Sequence, residues 1–273
     1  MIDGELMGVP RRVISLNPSV TEFLFLLGAG DRVVGVDVWS YRPREAMRVM
    51  RIGSFTSANI DLIKNLNPDL IILSYPVQRQ LVNQLRALAP VLAIPTPVNL
   101  NTALGFFEMI GGLLDMDEEA LRLVGIYRDL MRREANVDGV LAVFSLGDYV
   151  VPCEASYVAS ALNRVGLNYV KGFKCVMVLT NKDGLINLIN QLNPNLIIYE
   201  GKTKTYRPQE LDFAANRRVL FVPNDTLAHF GPSLPLDLRL VSEAVNNGRS
   251  FVEGTSSVNR PSLSDEWYKP YVT

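Results

Sequence analysis

Histidine is nearly missing from this chain: 273 residues contain one, His229. A single imidazole excludes a His-Glu-x-x-His helix, a multi-histidine zinc or manganese site and a His-Cys cluster, so capture of a bare metal ion is not expected and no metal site is assigned. Cysteine is almost as scarce. Cys153 and Cys175 are the only two, with neither metal nor redox spacing; they pair if the protein is exported and otherwise are two small buried thiols. An excess of one charge is lacking too. The formal net charge is −1, no basic stripe is interleaved with aromatics, and nucleic acid is not expected as a partner. No apolar run approaches the roughly 18 residues of a membrane span. The segment Met1 to Pro10 carries acids and no apolar core of a secretory signal, so the chain either stays in the cytoplasm or has lost a leader and is extracytoplasmic. Enzymatic signatures are absent in the same way: there is no Gly-x-x-x-x-Gly-Lys-Ser/Thr phosphate loop, no Gly-x-Ser-x-Gly elbow and no Gly-x-Gly-x-x-Gly fingerprint. Gly28-Ala29-Gly30 follows a helical pattern and reads as a helix stop.

What is present is a repeat. Leu62-Ile63-Lys64-Asn65-Leu66-Asn67-Pro68-Asp69-Leu70-Ile71-Ile72 returns as Leu188-Ile189-Asn190-Gln191-Leu192-Asn193-Pro194-Asn195-Leu196-Ile197-Ile198, identical at eight of eleven positions with an offset of 126 residues (188 − 62). Each copy reads as a helix end, an Asn-Pro break and a continuous apolar run suited to a strand buried on both faces. An offset of that length exceeds the periods of solenoids and propellers, so a whole α/β lobe is duplicated. With 48% hydrophobic and 20% charged residues the chain buries two cores, and two similar lobes create a cleft.

Strand and helix signals alternate around the repeat. Arg12–Leu16 and Val33–Asp37 are strands, with a helix between them opened by Asn17-Pro18-Ser19. Asn59–Leu66, Leu70–Ser74, Gln80–Leu88, Val91–Ile94 and Thr102–Leu114 continue as helix, strand, helix, strand, helix. Asp117–Ala135 then reads as one long charged helix, acidic at its start and basic near its end. Beyond it, Val140–Ser145, Glu154–Val165, Leu185–Leu192, Leu196–Tyr199, Gln209–Ala215, Val219–Val222 and Leu236–Asn246 resume the alternation. The expected fold is α/β, two Rossmann-like lobes with parallel sheets joined by one long α-helix, with a ligand cleft between the lobes. Its divisions are an N-terminal lobe over 1–115, a linking helix over 116–136, a C-terminal lobe over 137–248 and a tail over 249–273 that reads as a surface strap.

Several of these segments, taken in order, resemble one family. They are Ser15-Leu16-Asn17-Pro18-Ser19 with Thr21-Glu22, Gly28-Ala29-Gly30 before Val33-Val34-Gly35-Val36-Asp37, Ile52-Gly53-Ser54, and Leu66-Asn67-Pro68-Asp69-Leu70-Ile71-Ile72. The family is the helical-backbone, or class III, substrate-binding proteins of cobalamin, siderophore and haem ABC importers, and the likeness spans Arg11 to Asn247. Val34-Gly35-Val36 followed by Trp39-Ser40 is most similar to the cobalamin-binding branch. The resemblance implies no enzymatic activity and no resident cofactor; it implies a small metal chelate as ligand, an importer permease as partner and a monomeric protein.

In open α/β sheets ligands lie beyond the carboxyl ends of the strands. That rule nominates Asn17 and Ser19 after the first strand, Trp39, Tyr41 and Arg42 after the second, then Phe55 and Tyr75. In the second lobe it nominates Tyr149, Lys202, His229 and Phe230. Aromatic faces with a few polar groups suit a large flat ligand, and a corrin ring with amide side chains fits. A ferric siderophore would need the positive charge of Arg42, Arg79, Lys202 and Lys204, and haem is the third choice. His229 is the one side chain that offers axial ligation to cobalt or iron; the alternative is an ordinary surface-loop histidine. For each aromatic the alternative is core or rim packing. Asp148 and Glu200 are a conceivable acid/base pair but read as solvated rim carboxylates.

In the resembled family an acidic residue on each lobe meets arginines of the permease. Asp61, seven residues before Pro68, matches the first position. The place seven before Pro194 is Asn187, with Asp183 nearby. Three functions follow: a corrinoid-binding component of an ABC importer, a cytoplasmic chelate-binding protein with no permease, and an α/β enzyme acting in the cleft.

Overall fold

A computed structural model describes residues 2–54, 56–173, 175, 177–201, 217–252 and 261–272. Phe55, Lys202, Lys204 and the helix expected over Gln209–Ala215 lie outside the described residues. The chain divides into two compact units: unit 1 is Met1–Thr96, Leu104–Tyr127 and Arg260–Thr273, and unit 2 is Pro97–Ala103 and Arg128–Asn259.

Unit 1 contains β1 (Ile2–Asp3), β2 (Val13–Leu16), α1 (Pro18–Leu26), β3 (Val33–Asp37), β4 (Met50–Gly53), α2 (Ile60–Leu66), β5 (Leu70–Tyr75), α3 (Arg79–Leu85) and β6 (Val91–Pro95). Its sheet runs β1-β6-β5-β2-β3-β4, parallel except for β1, which pairs antiparallel with β6 at the edge. Ile14, Leu16, Ile71, Leu73 and Val91 pack with Ile63, Leu81 and Leu85 in one core cluster. Each such side chain removed from water stabilises the unit by roughly 1.5–3 kcal/mol before its entropic cost. The repeated motif shows why β5 is buried on both faces: Leu70 to Leu73 are all inaccessible to solvent.

The helix expected over Asp117–Ala135 is α5 (Asp117–Leu130); before it comes α4 (Leu100–Leu113), and both helices carry residues of both units. The α5 helix ends five residues early because its continuation has other partners. Glu134 and Ala135 each donate their N–H to the carbonyl of Val165, and Val137 donates to Gly166, so these groups are unavailable for i to i−4 bonds.

Unit 2 contains β7 (Val137–Ser145), β8 (Tyr149–Pro152), α6 (Tyr157–Arg164), β9 (Leu167–Tyr169), β10 (Met177–Thr180), α7 (Lys182–Leu192), β11 (Leu196–Gly201), β12 (Arg218–Pro223) and α8 (Leu234–Asn246). The order is β10-β8-β7-β11-β12, with β9 also on β7. The β7, β11 and β12 strands are parallel, as the alternation predicts, while β8 runs antiparallel to both its neighbours, β7 and β10. Cys153, after β8, and Cys175, before β10, form a disulfide with Cα atoms 5.2 Å apart, which ties the edge strand to its neighbour.

The repeat is visible as one turn built twice. Asn67 and Asn193 cap α2 and α7 in the left-handed region, at φ 44° and 43°, a conformation asparagine tolerates and the following proline makes terminal. Asp69 then donates its N–H to the carbonyl of Arg12, just before β2, and Asn195 donates to that of Gly139, the third residue of β7. The C-terminal segment returns to unit 1, where Tyr268 and Tyr271 are 0% exposed, so they are core residues and not a surface strap.

Candidate functional site

In unit 1 the carboxyl ends of β2, β3, β4 and β5 collect the nominated residues. Asn17 and Ser19 are buried. Asn17 caps α1 by accepting from the Val20 N–H at 3.1 Å and donates to Ser74 Oγ at 3.1 Å, so it links the ends of β2 and β5. Trp39, 41% exposed, and Tyr75, 45% exposed, present large faces to solvent, and Val38 and Val77 beside them are also exposed. Tyr41 is half-buried and Arg42 is buried. Four apolar side chains are thus exposed at or just beyond the ends of two strands, β3 and β5.

The Trp39 loop is fixed from beneath by a residue that strand-end reasoning passed over. Asp37, at the end of β3, accepts from the N–H of Trp39 at 2.6 Å and of Ser40 at 3.0 Å, and from the Ser40 hydroxyl at 3.1 Å. The Ser40 hydroxyl lies 2.9 Å from that of Thr21, which donates to Ser15 Oγ at 2.8 Å. Arg51 donates to the carbonyls of Asp37 and Ser40. Burial raises the Asp37 carboxyl to about 6, opposed by the hydrogen bonds from Trp39 and Ser40 and by the charge of Arg51. The available signal was an acid ending an apolar strand two residues before the tryptophan. Gln78, also buried, accepts from the Ser74 N–H and donates to the Ser54 carbonyl, joining the ends of β5 and β4.

In unit 2, Tyr149 is half-buried, with its ring 6.5 Å from that of Tyr199; Leu146 and Leu179 beside it are exposed, and so is Asp148. Glu200, expected as a solvated rim carboxylate, is 1% exposed. The loop after β12 closes over it: Asp225 and Leu227 donate their N–H groups at 2.7 and 2.6 Å, and Ala228 at 3.2 Å. Burial raises the Glu200 carboxyl to about 8; the three N–H bonds lower it and Asp237 raises it further. With Asp148 exposed and Glu200 enclosed, the two carboxyls have opposite environments.

His229 is 7% exposed, and it sits inside unit 2 rather than on a surface loop. Its Nδ1 accepts from the Gly231 N–H at 3.2 Å, which puts the proton of a neutral ring on Nε2, 3.5 Å from both Ser233 Oγ and Asp237 Oδ2. Ligation of a metal requires the ring to leave these partners. Phe230 is buried with its ring edge-on to Tyr157 at 5.7 Å. Asn224 is half-buried, and its Oδ1 has no hydrogen-bond partner among the described residues. Among the described residues no group of three or more His, Cys, Asp or Glu is arranged to hold a metal ion.

The acids suited to a partner surface are exposed. Asp61 is the second residue of α2, after the cap Asn59, whose side chain accepts from Leu62. Asp183 is the second residue of α7, after the cap Asn181, whose side chain accepts from Gly184. Because α7 has 11 residues and α2 has 7, counting back from the proline reaches Asn187, one turn inside, whereas counting from the cap reaches Asp183. Among the described residues no helix is long and apolar enough to cross a membrane.

A family model described as periplasmic binding protein matches residues 13–219. A vitamin B12-binding protein of Pectobacterium atrosepticum is 39% identical over 64 residues, 23% of this chain and 23% of the relative. An uncharacterized ABC transporter substrate-binding lipoprotein of Bacillus subtilis, YvrC, is 31% identical over 119 residues, 42% of this chain and 38% of the relative. The chain thus spans about a quarter of the first relative's length and under two fifths of the second's. A solved periplasmic heme-binding protein, BhuT in complex with two hemes, is similar with a TM-score of 0.71 at 19% identity, covering 87% of this chain and 98% of that one, a likeness of fold.

Proposed function

The chain belongs to the periplasmic binding protein family, and from that premise we propose that it is the substrate-binding component of an ABC importer whose ligand is a corrinoid. The observation that carries the reading is the Trp39 loop. An exposed indole on a loop whose backbone N–H groups are held by a buried carboxylate offers a flat apolar face at little entropic cost. The vitamin B12-binding relative favours the same ligand. The heme-bound neighbour favours haem as the second reading, to which Tyr75 and Trp39 are equally suited as stacking faces. Asp61 and Asp183 supply the charges for docking on a permease, and the protein acts outside the cytoplasm as a monomer. The disulfide supports that compartment, since such bonds persist where thiols are not kept reduced, and so does the lipoprotein relative.

Titration with cyanocobalamin, followed by tryptophan fluorescence and by the corrin absorption band, tests the proposal. The expected outcome is saturable binding at micromolar concentration or tighter, weakened at least ~10-fold in Trp39→Ala, which corresponds to about 1.4 kcal/mol. Absence of cyanocobalamin binding together with binding of haemin would replace the corrinoid by haem. Absence of both would overturn the corrinoid and haem readings and leave the ferric siderophore.

A further inference from the structure

The internal repeat supplies a comparison that isolates Glu200. β5 and β11 are both six residues long and align at the 126-residue offset, which places Ser74 of unit 1 opposite Glu200 of unit 2. The strand is therefore built without a carboxylate in one unit and with a fully enclosed one in the other. Enclosing a carboxylate is costly unless it is fully hydrogen-bonded. Here the donors are three backbone N–H groups of a single loop, from Asp225, Leu227 and Ala228.

We propose that Glu200 is the positioning residue of the loop after β12: its carboxyl group, fixed on the strand, holds residues 224–231 in the conformation that receives the ligand. This rests on the reading of the strand ends as the chelate site. A loop of ten or so residues without regular structure has many conformations, and a ligand that selects one of them loses affinity in proportion. The Glu200 carboxyl group removes that loss beforehand. Other bonds act on the same segment. Tyr157 donates its hydroxyl hydrogen to the Leu227 carbonyl at 2.7 Å, Thr226 bonds back to the Pro223 carbonyl, and His229 is held through Gly231, Ser233 and Asp237. Glu200 differs from these in gathering three N–H groups on one rigid point. The charged and titratable groups around it are Tyr157 on α6, Asp225 and His229 on the loop, and Asp237 on α8.

Two variants separate the role from simple stability. Glu200→Gln keeps the shape and one acceptor oxygen; Glu200→Ala leaves all three N–H groups without the carboxylate. Amide hydrogen exchange of the full chain should quicken at Asp225, Leu227 and Ala228 by at least ~10-fold in Glu200→Ala and by less in Glu200→Gln, with β7 and α8 unchanged. The dissociation constants for cyanocobalamin and haemin should rise in the same order, with Gln partly rescuing Ala. Ile189→Ala, a core change in α7, should lower the unfolding temperature and move neither readout. Unchanged loop exchange in both Glu200 variants overturns the proposal, as does faster exchange with unaltered affinity. If wild-type protein binds neither probe, the corrinoid and haem readings fail, and the loop exchange alone then decides whether Glu200 holds the loop.

Discussion

The Tyr268 hydroxyl donates to the carboxylate of Glu22, 246 residues earlier in the chain, and both side chains are buried. A phenol on the last segment thus serves a carboxylate on the first helix. Tyr268→Phe keeps the ring and removes one donor to a buried charge, so it should cost about 1–3 kcal/mol in urea unfolding. Tyr268→Ala, which also empties the core position, should cost about 3–5 kcal/mol. Equal stability of Tyr268→Phe and wild type would show that the hydroxyl is not holding the carboxylate.

The Cys153–Cys175 bond closes a loop of 22 residues, for which the chain-entropy relation gives about 3 kcal/mol. Reduction, or Cys153→Ser with Cys175→Ser, should lower stability by roughly that amount. Because the bond holds β10 to β8, hydrogen exchange should rise first in Met177–Thr180. A reduced protein as stable as the oxidised one would contradict this.

Burial disfavours the charge on Asp37, raised to about 6, and on Glu200, raised to about 8, and it raises Asp225 as well. A raised carboxyl binds its proton more tightly in the folded than in the unfolded state. Its contribution is fully present at low pH and is lost as pH rises through the folded value. Stability attributable to Asp37 should therefore decline from about pH 4 to about pH 6, and that attributable to Glu200 up to about pH 8. Denaturant titrations between pH 5 and pH 9 should show Glu200→Gln with a flatter profile than wild type above pH 6. An identical slope in the two proteins would refute the assignment.

Asp183 holds in α7 the place Asp61 holds in α2. If both acids meet a permease, Asp61→Lys and Asp183→Lys should each reduce ligand-stimulated ATP hydrolysis by the reconstituted importer several-fold, while ligand affinity stays unchanged. Asn187→Lys should have the smaller effect. The reverse ranking would return the docking position to Asn187.

The sequence made the duplicated turn legible because Asn-Pro leaves the backbone few choices, and Asn67 and Asn193 adopt nearly the same angles. The parallel strands β2, β3, β5, β6, β7, β11 and β12 were legible from their apolar runs; β4 and β9, short and parallel to β3 and β7, were not. β8 and β10 were not, since each is only four residues long and β10, at the edge of the sheet, turns its apolar Met177 and Leu179 to solvent. The end of α5 depends on the Val165 carbonyl, some 30 residues away, and no local pattern reports it. The enclosure of Glu200 depends on Asp225, Leu227 and Ala228 closing over a strand end, and that is a tertiary event. Trp39 and Tyr75 were nominated by position after a strand and stand exposed there; Asn17, Ser19 and Arg42 were nominated by the same rule and are buried.

The path of the chain also sets an order of assembly. Unit 1 needs Tyr268 and Tyr271 to complete its core, and every residue of unit 2 precedes them. On the ribosome the second unit is therefore fully synthesised while the first still lacks its last piece. The half that begins first is the half that finishes last, and a nascent chain stalled before Pro261 would carry a finished unit 2 beside an unclosed unit 1.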